Sequence, residues 1–153
     1  YAHTMADEVH LTQANLKDVL GLDIELNPID EDYFKVIAKE GACQICRSGW
    51  YADYPTYGNF MVDLFGAVSI DGNNLGRHND PKFEELLANA LKETDATKRG
   101  EYYQQSEEQL LNETVGAIPL NWYTGDQVFR DTLVNYDQQP LGNILWEKIG
   151  KKG

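Results

Sequence analysis

The densest chemistry in the chain lies in nine consecutive residues, Arg47-Ser48-Gly49-Trp50-Tyr51-Ala52-Asp53-Tyr54-Pro55. They hold one cation, one anion and three aromatic side chains. Such a set can bind a zwitterion: Asp53 takes an ammonium group, Arg47 takes a carboxylate, and the aromatics wall the body of the ligand. The segment follows a predicted central strand, and α/β sheets put their ligands beyond the carboxyl ends of strands. The same residues admit a second reading, a surface loop pinned to the core by its aromatics, with Arg47 and Asp53 paired to protein groups. On sequence physics alone this second reading weighs more.

Cys43 and Cys46 form a C-x-x-C pair. Two cysteines are too few for the disulfide framework of a secreted mini-domain. A structural zinc site needs four ligands, and His3, His10 and His78 show no ligand spacing with each other or with the cysteines. No metal and no cofactor is expected. A thiol redox enzyme using Cys43 and Cys46 is the alternative, but such pairs sit at helix N-termini, where the dipole stabilises a thiolate. Here the pair falls inside a predicted strand, where residues three apart face opposite ways. The expectation is two buried thiols. Glu84-Glu85 and Glu107-Glu108 read as solvated helix faces rather than a hydrolase carboxylate pair, and Asp71, Asn73 and Asn74 lack the spacing of a calcium loop. The chain reads as a binding module, not an enzyme.

Charge narrows the partners. The 153 residues carry 25 acids against 13 bases, a formal net charge of -12. That surface repels phosphate backbones and anionic headgroups, so no nucleic acid is expected as a partner. At 42% hydrophobic content the chain can build a core. Nine Tyr and three Trp against five Phe give it the amphipathic aromatics in which binding surfaces are enriched. No apolar run approaches the roughly 20 residues that span a bilayer. The opening Tyr1-Ala2-His3-Thr4 has no basic or apolar leader pattern, as expected of a processed chain or a piece of a longer one.

The positioning elements follow from periodicity. Thr4 to Asp7 reads as a helix start, with Met5, Val9, Leu16, Val19 and Leu20 near one face and Gly21 as the stop. Asp23–Asn27 alternates as a strand, Asp30 caps a second helix through Ala38, and Ala42–Arg47 reads as a buried central strand. Asn59 is placed as the cap of a short helix through Phe65. Asp80-Pro81 starts a helix with the stripe Phe83, Leu86, Leu87, Ala90 and Leu91. Asp95 caps the next, with Tyr103, Ser106 and Leu110 inward and Glu101, Gln105, Glu107 and Glu108 outward. Ala117–Tyr123 reads as a strand, and shorter extended pieces follow from Val128 to Lys152. Helix, strand, helix, strand is the rhythm of an α/β layer.

On these residues a family resemblance enters. Arg47–Pro55, R-S-G-W-Y-A-D-Y-P, resembles the signature of extracytoplasmic solute-binding proteins of the oligopeptide and dipeptide ABC-transporter family (family 5). Leu20–Leu26, Asn79–Leu87, Glu93-Thr94-Asp95, Glu107–Leu111, Ile118–Tyr123 and Pro140-Leu141-Gly142 are similar to its other segments, in the same order. The resemblance implies an α/β, periplasmic-binding-protein-like lobe with a central sheet flanked by helices. Residues 1–125 would be the C-terminal lobe of a two-lobed protein, and 126–153 a tail that returns to the other lobe. It implies a peptide ligand, an ABC transporter membrane permease and the missing N-terminal lobe as partners, and a periplasmic or lipid-anchored location outside the cell membrane. By residue, it implies Asp53 for the peptide ammonium and backbone at Gly49 and Tyr51 for the peptide main chain. Arg47 would meet the carboxylate of short peptides, and Trp50, Trp122 and Tyr123 would line the cleft. Nickel, haem and oligosaccharide binders also occur in the family. Cys43, Cys46 and Asn121 depart from its pattern.

Overall fold

Asp80 and Asp95 start the two helices that carry the core. The structure, a computed structural model, describes residues 6–29, 32, 36–37, 43–124, 128–136, 141–142 and 144–152. Asp80 Oδ1 accepts from Phe83 N–H at 2.8 Å, and Pro81 fills the first helical position, where no donor is needed. The helix α3, Pro81–Lys92, buries Phe83, Leu86, Leu87 and Ala90. Leu91, expected on the same stripe, is 65% exposed. At 100° per residue it lies about 80° around the helix from Phe83, beyond the packed face.

Asp95 caps the helix α4, Ala96–Glu108, by accepting from Lys98 N–H at 3.0 Å. Tyr103 and Ser106 point inward and are buried, while Glu101, Gln105, Glu107 and Glu108 are exposed, as the periodicity predicts. A π-helical turn, Gln109–Glu113, continues α4 and turns Leu110 into the same core. A third helix, α2, Gly58–Phe65, supplies Met61. Met61, Phe83, Leu87, Ala90, Tyr103 and Leu110 form one cluster. Each large apolar side chain there contributes about 1.5–3 kcal/mol by leaving water.

The Asn74 amide fastens the chain from Ile70 to Asn79 to its neighbours. Asn74 is 1% exposed; its Nδ2 donates to Phe65 O, Gly66 O and His78 O, and its Oδ1 accepts from His78 N–H at 2.9 Å. This ties the end of α2 to the start of α3.

The N-terminal helix α1, Ala6–Leu20, ends at Gly21, whose φ of 68° is the left-handed conformation that favours glycine. Thr4 and Met5 lie outside the described residues. No residue of α1 is fully buried, and Val19 and Leu20 of its expected apolar face are 78% and 62% exposed. The second helix expected from Asp30 to Ala38 falls mostly outside the described residues.

Strands differ most from expectation. The ladder described is short and antiparallel: β1, Leu133–Val134, pairs with β2, Gly150–Lys151, in the register Leu133–Lys151 and Val134–Gly150. Asp23–Asn27, Cys43–Arg47 and Ala117–Tyr123 have no ladder partner among the described residues. Alternation gives a segment one apolar edge, but a ladder needs a neighbour to receive its N–H and C=O groups. In the first segment a side chain does part of this work: Gln13 Nε2 donates to Ile24 O at 2.6 Å.

Candidate functional site

The loop that carries Asp53 is fastened by Asn59, a residue whose sequence placement needs correcting. Asn59 is not a helix cap: Tyr57 holds that position, and Asn59 lies in the first turn of α2, 0% exposed. Its Oδ1 accepts from Trp50 Nε1 and from Asp53 N–H, both at 2.9 Å. Its Nδ2 donates to Asp63 Oδ2 at 2.8 Å, and the Tyr54 hydroxyl donates to the same oxygen at 2.6 Å. Asn59 and Asp63, one turn apart on α2, thus hold Trp50, Asp53 and Tyr54 together. That hydrogen bond to Asp63 raises the Tyr54 phenol above its ordinary pKa, and burial raises that of Tyr103. The i, i+4 pair Asn59–Asp63 beside an aromatic loop was the available sequence signal.

Fastened by its backbone, Asp53 turns its side chain outward and is exposed. No group among the described residues forms a hydrogen bond or ion pair with its carboxylate. A hollow of about 300 Å³ lies elsewhere, between α1 and the segment after it, at Gln13, Ala14, Lys17, Asp18 and Leu22–Ile24. Lys17 and Asp23 are ion-paired beside it.

A second cluster gathers Arg47, Gly49, Tyr51 and Tyr123. Arg47 is 8% exposed in its side chain, and its Nε and Nη2 donate to Glu8 Oε2 at 2.7 and 2.6 Å. Its guanidinium carbon lies 5.6 Å from the Tyr123 ring centroid, a cation–π distance. Tyr51 and Tyr123 stack at 5.8 Å between centroids. Gly49 permits this closeness: a Cβ there would stand 2.9 Å from Arg47 Nη1 and 3.3 Å from the Tyr123 ring. Trp122 does not join them and is 86% exposed, because adjacent residues of an extended segment face opposite sides. Arg47 thus already has a counter-ion, and sequence reading missed Glu8.

The cysteines also differ from expectation. Cys43 and Cys46 are bonded to each other, with Cα atoms 5.6 Å apart, rather than being two buried thiols. The pair packs against Ile37 and Leu75 just before Arg47. Among the described residues the pair and the segment that follows it are not helical, unlike the helix N-terminus at which a redox pair sits. Such a short loop restricts the unfolded chain little. Replacing both cysteines by serine should cost about 2 kcal/mol or less, measured as the shift in urea midpoint between the two forms.

The comparisons with known proteins bear on this geometry. No protein-family model matches the chain. The periplasmic oligopeptide-binding protein OppA of Salmonella typhimurium is 29% identical over 134 residues, 87% of this chain and 24% of that protein. Di/tripeptide-binding protein 1 of Pseudomonas aeruginosa is 32% identical over 116 residues, 74% of this chain and 21% of that protein. The chain therefore spans about a quarter of the length of these curated relatives. Among solved structures, HbpA2 from Haemophilus parasuis superposes with a TM-score of 0.74 at 25% identity, over 96% of this chain and 29% of that one. The architecture is that of an α/β, periplasmic-binding-protein-like lobe. A disulfide such as Cys43–Cys46 persists in the oxidising space outside the cytoplasm. By its ordered motifs, relatives and fold, the chain belongs to the extracytoplasmic solute-binding proteins of the oligopeptide and dipeptide ABC-transporter family.

Proposed function

We propose that the chain is a C-terminal-lobe segment of the substrate-binding component of an ABC importer, and that its ligand is a short peptide held by ammonium capture and main-chain hydrogen bonds. In this reading residues 1–125 form the lobe and 126–153 the tail that returns to the N-terminal lobe. The protein works in the periplasm or on a lipid anchor, and its closed form engages the membrane permease. Asp53 receives the peptide ammonium. Backbone groups at Gly49 and Tyr51 pair with the peptide main chain, which recognises backbone and so tolerates many side chains. Trp50, Tyr51, Trp122 and Tyr123 line the cleft, and Arg47 governs its carboxyl end.

One observation carries this reading. The Asp53 carboxylate faces outward while its own N–H is fixed by the buried Asn59. The loop's backbone is fastened, and the acid it presents has no hydrogen-bond or ion-pair partner among the described residues, which is the arrangement that ammonium capture needs. Support also comes from the names of the relatives, which are oligopeptide and di/tripeptide binders.

The test is calorimetry on the complete protein that carries this chain, with one peptide free and N-acetylated at its amino end. The free form should bind much more tightly. Equal affinities would remove the role given to Asp53. Failure of both, with tight binding of nickel, haem or an oligosaccharide instead, would move the ligand class.

A further inference from the structure

The described contacts that hold α1 to the rest of the chain are polar. Glu8 pairs with Arg47, Gln13 donates to Ile24 O, and Lys17 pairs with Asp23. The apolar side chains of α1 do much less. None is fully buried. Val9 and Leu16 are half-buried, and Val19, Leu20 and Leu22, where the helix ends, are 78%, 62% and 49% exposed. The segment after Gly21 is open in the same way. Ile24 and Leu26 are half-buried and alternate with exposed Asp23, Glu25 and Asn27, as in a strand, yet no ladder forms on residues 22–27 among the described residues. Grouped apolar surface beside an unpaired strand-like edge marks a face that another element covers.

We infer that α1 and residues 22–27 are the second half of a β-α-β unit, and that the first half, an apolar strand parallel to residues 22–27, comes from the part of the same polypeptide that precedes this chain. This rests on the reading that the chain is a C-terminal-lobe segment of a longer protein. A helix of 15 residues is long enough to be the crossover between two parallel strands, and such a crossover lays its second strand back in the sheet of the first. A strand of a parallel sheet beneath a helix is buried on both faces, so the covering strand is a Val/Ile/Leu-rich run rather than an alternating one. Length provides its source. The chain spans 24% and 21% of two curated relatives, and 96% of it superposes on 29% of a longer solved chain, so α1 belongs to a larger fold. A second copy of this chain is the poorer occupant. Across a two-fold axis its residues 22–27 would set Asp23 and Glu25 against like charges, between bodies that each carry a net charge of -12.

The experiment uses the complete protein that carries this chain. Hydrogen exchange is followed by mass spectrometry in fragments that cover residues 22–27, with α3 and α4 as internal references. The amides of residues 22–27 should exchange about a hundredfold more slowly than those of an unprotected chain, or slower still. A photoreactive p-benzoylphenylalanine placed at Leu20 should, on illumination, join to a Val/Ile/Leu-rich segment that precedes Tyr1 in the same molecule. Exchange at unprotected rates, while α3 and α4 stay protected, would overturn the inference without any substitution having to fold. So would a cross-link to residues 28–42 or to a second molecule. A cross-link to a segment that follows Gly153 would overturn the C-terminal placement, and this inference with it. Neither measurement reads ligand binding, so the peptide reading stands or falls separately.

Discussion

Asp53→Asn in the complete protein should weaken the binding of a peptide with a free amino end by about 2–5 kcal/mol, roughly thirtyfold to several-thousandfold. The magnitude follows from where the pair would form. In the chain alone the Asp53 side chain is exposed, where an ion pair is worth little. Closure of two lobes over a peptide would take the same carboxylate and the ammonium out of water, where a charge-assisted hydrogen bond counts for far more. Asparagine keeps the shape and an acceptor oxygen but not the charge. The N-acetylated peptide should therefore lose little, and the four affinities make a double-mutant cycle. Folding should be unaffected, because Asn59 holds the residue by its main-chain N–H, which the substitution leaves in place. Equal losses for free and acetylated peptides would show a general disturbance of the loop and remove Asp53 from ammonium recognition.

The parts of this fold that were legible in the sequence are those written locally. The caps Asp80 and Asp95 lie three residues from the N–H groups they accept, and the stripes of α3 and α4 repeat within each helix. Short-range pattern was sufficient for these. The segments Asp23–Asn27 and Ala117–Tyr123 read as strands, but pairing depends on a neighbour that their own residues do not encode. The same holds for the site. Its aromatic and charged residues stood out by type, yet the partner of Arg47 is Glu8, on another element, and no local spacing announces it. The disulfide escaped for a different reason. A count of two cysteines argues against a framework and says nothing about a single bond between near neighbours. Asn59 reads as a helix cap because Asn is favoured there for its side-chain oxygen, and the cap lies two residues earlier, at Tyr57. Here that oxygen serves the preceding loop instead.

Because its oxygen holds the preceding loop from α2, Asn59 should have a larger effect on stability than any side chain of that loop. Asn59→Ala removes a fully buried amide and strands the donors Trp50 Nε1 and Asp53 N–H. It also removes one of the two donors on Asp63 Oδ2, leaving Tyr54. An unsatisfied buried group costs about 1–3 kcal/mol, and water entering the gap recovers part, so a total of about 3 kcal/mol is expected in urea unfolding. A red-shifted tryptophan emission should accompany the loss, since Trp50 is released. Asn59→Asp separates the two halves of the amide's role. It keeps an acceptor for Trp50 and Asp53 but replaces the Nδ2 donor with a second carboxylate facing Asp63. That variant should be destabilised at neutral pH and recover as the pH falls towards the ordinary carboxylate value of about 4, the recovery lying above that value, where protonation in the fold restores a donor. The sign is fixed by the repulsion: a carboxyl group that is harder to ionise in the fold than in the unfolded chain stabilises the fold only while protonated. If Asn59→Ala instead unfolds at the wild-type midpoint, the loop is held by its aromatics alone. The fixed presentation of Asp53 on which ammonium capture rests would then lose its structural basis.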